Sequence, residues 1–148
     1  MEEIKSFTGE FEFLSNFYPC NIELDGRIFP STEHGYMSQK SLDPFWVKYC
    51  MDPNNTPNTV KRKSRTIELR PDWDEVRIDS MKKVLYLKFI QEPFRTKLLN
   101  TGDKMLIEGN WWHDNFFGSC TCEKCGDNGK NHLGKLLMEL RYFLRYNS

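Results

Sequence analysis

The chain has no net charge, no long apolar run and no even set of cysteines. Its 21 Lys and Arg residues balance 21 Asp and Glu residues. That balance argues against wholesale electrostatic capture of nucleic acid or membranes and leaves room for a local basic patch. No apolar stretch approaches the roughly 20 residues that a membrane-spanning helix needs. Met1-Glu-Glu-Ile-Lys5 has neither the basic nor the apolar part of a secretory leader, so the expectation is a cytoplasmic location with no membrane partner. The 5 cysteines are Cys20, Cys50, Cys120, Cys122 and Cys125. They are odd in number and three are crowded together, which suits reduced thiols or a metal better than a disulfide framework. There is no internal repeat and no low-complexity segment. The 148 residues suit a single domain, 1–148, around one core.

Aromatic residues, at 14% of the chain, must supply much of that core and part of any site. Cys20, Ile22 and Leu24 alternate with polar residues, Asp25-Gly26 interrupts, and Arg27-Ile28-Phe29 follows. This pattern reads as a hairpin with a tight turn, to which Phe11-Glu12-Phe13 would add a third strand. Ser31 or Thr32 caps a helix from Glu33 to about Ser41, and a second helical piece runs from about Phe45 to Met51. The loop-rich stretch 52–59 follows, and then Lys61 to Arg65 on a helix. Asp72 and Glu75 have capping-box spacing at the head of a helix whose Ile78, Met81, Leu85 and Phe89 share one face. Pro93 and Gly102 bracket another helix. Leu133, Leu136, Leu137, Leu140, Phe143 and Leu144 form the apolar stripe of a last one. The fold class is therefore α+β, mostly helical, with a small antiparallel sheet near the N-terminus.

Two stretches combine carboxylates with rings and hydrogen-bonding side chains: Pro30-Ser-Thr-Glu33-His-Gly-Tyr36 and Leu106-Ile-Glu-Gly-Asn-Trp-Trp-His-Asp114. A pocket that binds a flat or sugar-like ligand and manages its charge needs such residues; a structural loop does not. Taken alone, Glu33 is a first-turn charge complementing a helix dipole, Asn16 a turn residue, and Phe17 and Trp111 core residues. Lys88 interrupts an apolar helix face and would carry its head to a polar cleft or to solvent.

The order of motifs resembles the NADAR, or YbiA-like, family. Phe7 to Pro19, Phe29 to Tyr36 and Lys40 match first. Trp73, Arg77, Met81, Lys88 and Phe89 continue the match. Leu106 to Asn110, Trp112, Asp114, Gly118, Gly129, Asn131, Leu133, Gly134, Leu137, Met138 and Arg141 complete it. The resemblance implies an N-glycosidase acting on ribose-phosphate intermediates of early riboflavin synthesis. Other branches of the family remove ADP-ribose from modified guanine in nucleic acid. One departure is Phe117 where the family places Trp before the glycine, which removes an indole N–H donor.

Breaking an N-ribosyl bond builds positive charge on the sugar and negative charge on the leaving base. By analogy with glycoside hydrolysis, the resemblance makes Glu33 and Asp114 the catalytic pair, converging on one ring-walled cavity with their individual roles open. Trp73 and Trp112 become stacking platforms, an arrangement worth on the order of 1–3 kcal/mol per base in single-strand complexes. Asn16, Phe17, Tyr36 and Asn131 become substrate contacts. Lys40, Arg65 and Lys88 become candidates for the phosphate, while the Lys61 to Arg65 cluster as a whole reads as a solvated face. Cys120, Cys122 and Cys125 offer three soft ligands, to which His113 or His132 could add a fourth for a structural zinc; free thiols on a loop are the alternative. No cofactor is required for the cleavage. Two other classes stay open: a non-catalytic ADP-ribose or nucleotide-binding module, and a zinc-knuckle-like nucleic-acid binder, against which the zero net charge counts.

Overall fold

The computed structural model describes residues 2–126 and 128–147. In chain order the elements are β1 (Glu3–Ile4), a 3-10 turn (Gly9–Leu14), β2 (Ile22–Leu24), β3 (Arg27–Phe29), α1 (Thr32–Ser38), α2 (Pro44–Met51), α3 (Pro57–Lys63), a second 3-10 turn (Ser64–Thr66), α4 (Trp73–Phe89), α5 (Phe94–Leu99), β4 (Met105–Leu106), β5 (Gly109–Asn110), β6 (Ser119–Cys120) and α6 (His132–Tyr146). They fall into two compact units, Asn16–Phe89 and the combination of Met1–Ser15 with Ile90–Ser148.

The unit Asn16–Phe89 is built from local signals. Asp25 and Gly26 both take positive φ, 53° and 79°, the conformation that lets a two-residue turn follow the strand twist. The antiparallel register Ile22↔Phe29 and Leu24↔Arg27 results. Ile22, Leu24 and Phe29 are buried. The helices start where side chains satisfy their first N–H groups. Ser31 Oγ accepts from the His34 N–H at 3.1 Å, Asp43 Oδ1 from Phe45 at 3.0 Å and Thr56 Oγ1 from Thr59 at 3.1 Å. Pro44 and Pro57 stand at the first helical positions, where no N–H is missed. Helix α4 packs on β2 and α1 through Met81, Val84, Leu85 and Phe89, all buried. Gly35 permits the α1 approach, since a Cβ there would lie 2.6 Å from Ile22 Cδ1 and 3.1 Å from Val84 Cγ1. Asp72 stands at the head of α4, as its spacing with Glu75 predicts, and its carbonyl accepts the Glu75 and Val76 N–H groups at 3.0 and 3.1 Å. Its carboxylate takes the Arg70 guanidinium at 2.6 and 2.9 Å.

The other unit pairs β1 with β4 and β5 with β6, both parallel, in the registers Ile4↔Leu106 and Asn110↔Cys120. Helix α6 lies on β4 and α5. Leu133, Leu137 and Leu106 are fully buried. Gly134 permits that contact, because a Cβ at this position would strike the Leu106 carbonyl oxygen. Phe143, expected on the buried stripe, is 46% exposed.

One expected strand is not formed. Phe11 to Phe13 lie in the first 3-10 turn, closed by Phe11 N–H→Thr8 O at 3.0 Å and Ser15 N–H→Glu12 O at 2.9 Å. Three residues of alternation are too few to fix a period of two, and the tighter coil buries Phe13 and Leu14 together. Among the described residues, no helix is long and apolar enough to cross a membrane.

Candidate functional site

In the unit Asn16–Phe89, Glu33 sits in the first turn of α1 with 5% of its surface exposed. Asn16 fixes the start of this helix: its carbonyl accepts the Glu33 N–H at 3.0 Å, its Oδ1 accepts the Thr32 hydroxyl at 2.8 Å, and its amide donates to Met81 Sδ at 3.4 Å. Glu33 and Tyr36, three residues apart in α1, share one face, and Lys40 follows two residues beyond the helix end. Burial pushes the Lys40 ammonium down, the Glu33 charge pulls it back up, and Lys61, Arg65 and Arg77 push it down further. These directions describe a buried carboxylate and a lysine inside a positive field. Burial, and then the Glu33 charge, also pushes the Cys50 thiol up to about 12, so Cys50 carries no thiolate chemistry near neutral pH.

Rings and further polar groups line the same region of sequence. Tyr36 and Trp73 meet at 5.2 Å between ring centroids with planes tilted by 51°. Lys61 Nζ stands 5.8 Å above the Phe17 ring. Phe17, which local reading assigns to a core, is 39% exposed. Lys40 Nζ donates to Ser64 Oγ at 3.3 Å, and that hydroxyl donates to the Lys61 carbonyl at 2.6 Å. The Lys61 to Arg65 stretch therefore acts on Lys40 rather than serving only as a solvated face. Arg77 was not singled out as a site residue by sequence reasoning, although its spacing of four from Trp73 puts the two on one face of α4.

Lys88 differs from its sequence expectation. It is fully buried, with Nζ 5.9 Å from the Tyr18 ring centroid and 5.1 Å from that of Phe89. Burial pushes its ammonium down to about 7, against a smaller upward pull from Cys20. Two rings flank the head group, and none of it reaches solvent.

In the other unit, Asn110 organises the segment that follows β5. Its Oδ1 accepts from the N–H groups of Trp112 (3.2 Å) and Asp114 (3.1 Å), and its amide donates to the Asp114 carbonyl at 2.8 Å. Asp114 Oδ1 accepts from the N–H groups of Phe116 and Phe117, both at 3.1 Å. Trp112 is 48% exposed and Trp111 is 74% exposed; the expectation of core packing for Trp111 is corrected. Asn131 heads α6 in the left-handed conformation. Its Oδ1 accepts from Glu108 N–H at 3.0 Å and its amide donates to Leu106 O at 2.9 Å, which ties the helix start to the end of β4.

The thiols Cys120, Cys122 and Cys125 gather with His113, their ligand atoms all within 4.8 Å of one another; this cluster could hold a metal ion. The Cys125 N–H, and then the Cys120 side chain, hold the Cys122 thiol below its ordinary range. His132, the other imidazole considered, packs instead against Phe116 at 4.6 Å.

A buried carboxylate, a lysine in its field, three further cations and a ring pair stand together on a helix-rich α+β scaffold. The chain belongs to the NADAR domain family, whose model matches residues 5–145. It is 36% identical over 133 residues to a riboflavin biosynthesis protein of Vibrio vulnificus, covering 87% of this chain and 34% of that protein. This chain thus spans about a third of the Vibrio protein. It is 36% identical to an N-glycosidase of Nostoc punctiforme, covering 88% of this chain and 84% of the relative. It is 34% identical to N-glycosidase YbiA of Escherichia coli, covering 92% and 83%. The solved NMR structure of E. coli YbiA matches with a TM-score of 0.81 and 32% identity, covering 98% of this chain and 87% of that one.

Proposed function

We propose that this chain, acting as one domain, is an N-glycosidase that hydrolyses the N-ribosyl bond of a substrate bearing a ribose phosphate, such as an early riboflavin-pathway intermediate. The observation that supports the reading is the charge arrangement at α1 and just beyond its end: a buried Glu33, and Lys40 within the field of Lys61, Arg65 and Arg77. A phosphate monoester is the anion such a set of cations suits. A buried carboxylate is the group that steadies positive charge growing on a ribose ring. The names of the bacterial relatives support the same reaction class.

On this reading water attacks the anomeric carbon as the carbon–nitrogen bond breaks. The bond's electron pair leaves with the base, which takes up a proton, and the water oxygen ends on the sugar. Glu33 and Asp114 are the proposed catalytic carboxylates. Tyr36, Trp73, Trp112 and Phe17 supply flat surfaces, and Lys40 with Arg65 and Arg77 holds the phosphate. Asn16 and Asn131 contribute by fixing the backbone that carries these groups. Lys88 contributes from its buried position under Tyr18. The cleavage uses no bound ion; the ion suited to the His113 and cysteine donors is zinc in a structural role. A cytoplasmic location agrees with the three thiols of Cys120, Cys122 and Cys125, which must stay reduced to serve in this way.

The test is incubation of the purified chain with riboflavin-pathway ribose-phosphate intermediates, NAD, ADP-ribose and ADP-ribosylated oligonucleotides, with products read by mass. Release of ribose 5-phosphate from the free intermediates is expected. Glu33→Gln should lower kcat by roughly 10²–10⁴-fold, the usual weight of a positioned acid–base group. Release of ADP-ribose from modified guanine alone would move the substrate to nucleic acid. Tight binding without any product would make the chain a binding module and reject hydrolysis.

A further inference from the structure

We propose that His113 Nδ1 and the Sγ atoms of Cys120, Cys122 and Cys125 bind one Zn²⁺, and that the ion clamps the segment carrying Trp112 and Asp114. The first argument is geometric. His113 Nδ1 lies 3.6 Å from Cys120 Sγ, 3.5 Å from Cys122 Sγ and 3.4 Å from Cys125 Sγ. With Zn–S of about 2.3 Å and Zn–N of about 2.0–2.1 Å, a tetrahedral ion spaces its nitrogen and sulfur ligands about 3.6 Å apart. The three separations match the nitrogen-to-sulfur edges of that tetrahedron, and all four donor atoms lie within 4.8 Å of one another.

Hydrogen bonding does not explain them. One ring nitrogen offers one proton or one lone pair, so it cannot serve three sulfurs at equal distance; a common central ion can. The surrounding backbone is also arranged for ligation. His113 takes φ of 69°, a left-handed conformation that few side chains adopt. The N–H groups on either side of it, from Trp112 and Asp114, converge on Asn110 Oδ1 and so fix this turn. On the cysteine side, the Cys125 N–H points at Cys122 Sγ at 3.4 Å, the kind of outer contact that orients a metal-bound thiolate. The Cys120 N–H is anchored on Asn115 Oδ1 at 2.9 Å, and Gly126 closes the turn at φ 62°.

The donors choose the ion and its role. Three thiolates and an imidazole select a soft or borderline cation over magnesium or calcium. Four protein ligands fill a tetrahedron, so no position remains for water or substrate, and the ion is structural. Its position fixes what it holds. His113 lies between Trp112 and Asp114, while Cys120 lies in β6 and pairs in register with Asn110. The ion joins the two ends of the 114–119 segment, at His113 and Cys120, and fixes Trp112 beside it.

The experiment needs no substrate, so its outcome does not depend on the N-glycosidase reading. The full chain purified without chelator should contain one zinc per molecule by elemental mass spectrometry. His113→Ala and Cys122→Ser should each lose it, whereas Cys50→Ala, at a thiol outside the cluster, should keep it. Cobalt exchanged into the site should give the visible absorption of a tetrahedral thiolate complex, and His113→Ala guards against a cysteine variant that fails to fold. Absence of stoichiometric metal with no cobalt spectrum would overturn the site, as would iron in place of zinc. For the clamp, chymotrypsin should cut at exposed Trp111 and Trp112 at least ten-fold faster after chelation. Equal cutting rates with and without zinc would overturn it.

Discussion

Lys88 gives a test of the fold's electrostatics that can be worked in both sign and size. The side chain has no exposed surface, and burial pushes its ammonium from 10.5 down to about 7. In the unfolded chain it titrates near the higher value. Between these two values the folded chain holds Lys88 neutral while the unfolded chain binds a proton, so acidification favours unfolding. The stabilising contribution is complete above about pH 10.5, falls as pH falls, and is gone below about pH 7. Each pH unit in that window is worth about 1.4 kcal/mol, or about 3 kcal/mol between pH 7 and pH 9. Lys88→Met keeps an unbranched apolar stem and removes the titration.

The assay is urea unfolding of both proteins at pH 6, 7, 8 and 9. The stability of the parent minus that of Lys88→Met should be flat from pH 6 to 7 and then climb by about 3 kcal/mol to pH 9. Cys20→Ser, tested in parallel, removes the thiol that pulls the lysine upward and should shift the onset of the climb to lower pH. Parallel curves for parent and Lys88→Met from pH 6 to 9 would refute the reasoning, because they would mean that Lys88 stays charged in the folded state. The result also bears on the ligand. A lysine neutral at pH 8 is a poor phosphate anchor, so the phosphate must be held mainly by the other cations.

That division of labour predicts the arginine variants. Arg65→Ala and Arg77→Ala should each raise KM for a phosphorylated substrate by roughly ten-fold or more, as loss of a charge-assisted hydrogen bond does, with kcat within about three-fold. Steady-state kinetics against the dephosphorylated substrate should show no such rise, and an equal rise on both substrates would reject the phosphate assignment. Gly134→Ala should cost about 1–3 kcal/mol in thermal unfolding, since the added methyl meets the Leu106 carbonyl and the Asn131 amide of the same unit. Gly35→Ala should cost less, because its closest contacts, Ile22 Cδ1 and Val84 Cγ1, are side-chain tips that can turn aside.

What could be read in advance follows the range over which each signal acts. The hairpin rests on Asp25-Gly26, and the helix starts rest on Ser31, Asp43-Pro44 and Thr56-Pro57, all of which act on their own turn. The parallel pairs were not legible. Each has strands of two residues, and β1 finds its partner β4 far along the chain, where no local pattern points. Trp111 and Lys88 failed for opposite reasons. A tryptophan in a segment fixed by Asn110 is turned outward by the backbone, whatever its hydrophobicity. A lysine on a buried helix face is held out of solvent beside Tyr18 and Phe89, whatever its charge.

The cluster of thiols shows the same limit within one site. Cys-x-Cys-x-x-Cys is a local pattern and displays three donors in the sequence itself. The fourth depends on β5 lying parallel to β6 with Asn110 opposite Cys120, and on His113 taking a left-handed φ. His132 lies about as near along the chain, yet it serves Phe116 instead. Sequence spacing leaves the two histidines equivalent, and only the pairing of the strands distinguishes them. A substitution that weakens that pairing without touching a ligand should therefore lower zinc affinity. Gly118→Ala is the direct case: its methyl would strike the Glu108 carbonyl, which accepts the Ser119 N–H of this ladder at 2.9 Å. Competition with a chromophoric chelator should show weaker zinc binding in Gly118→Ala with all four ligands intact. Unchanged affinity would mean that the cluster assembles without the strand pair.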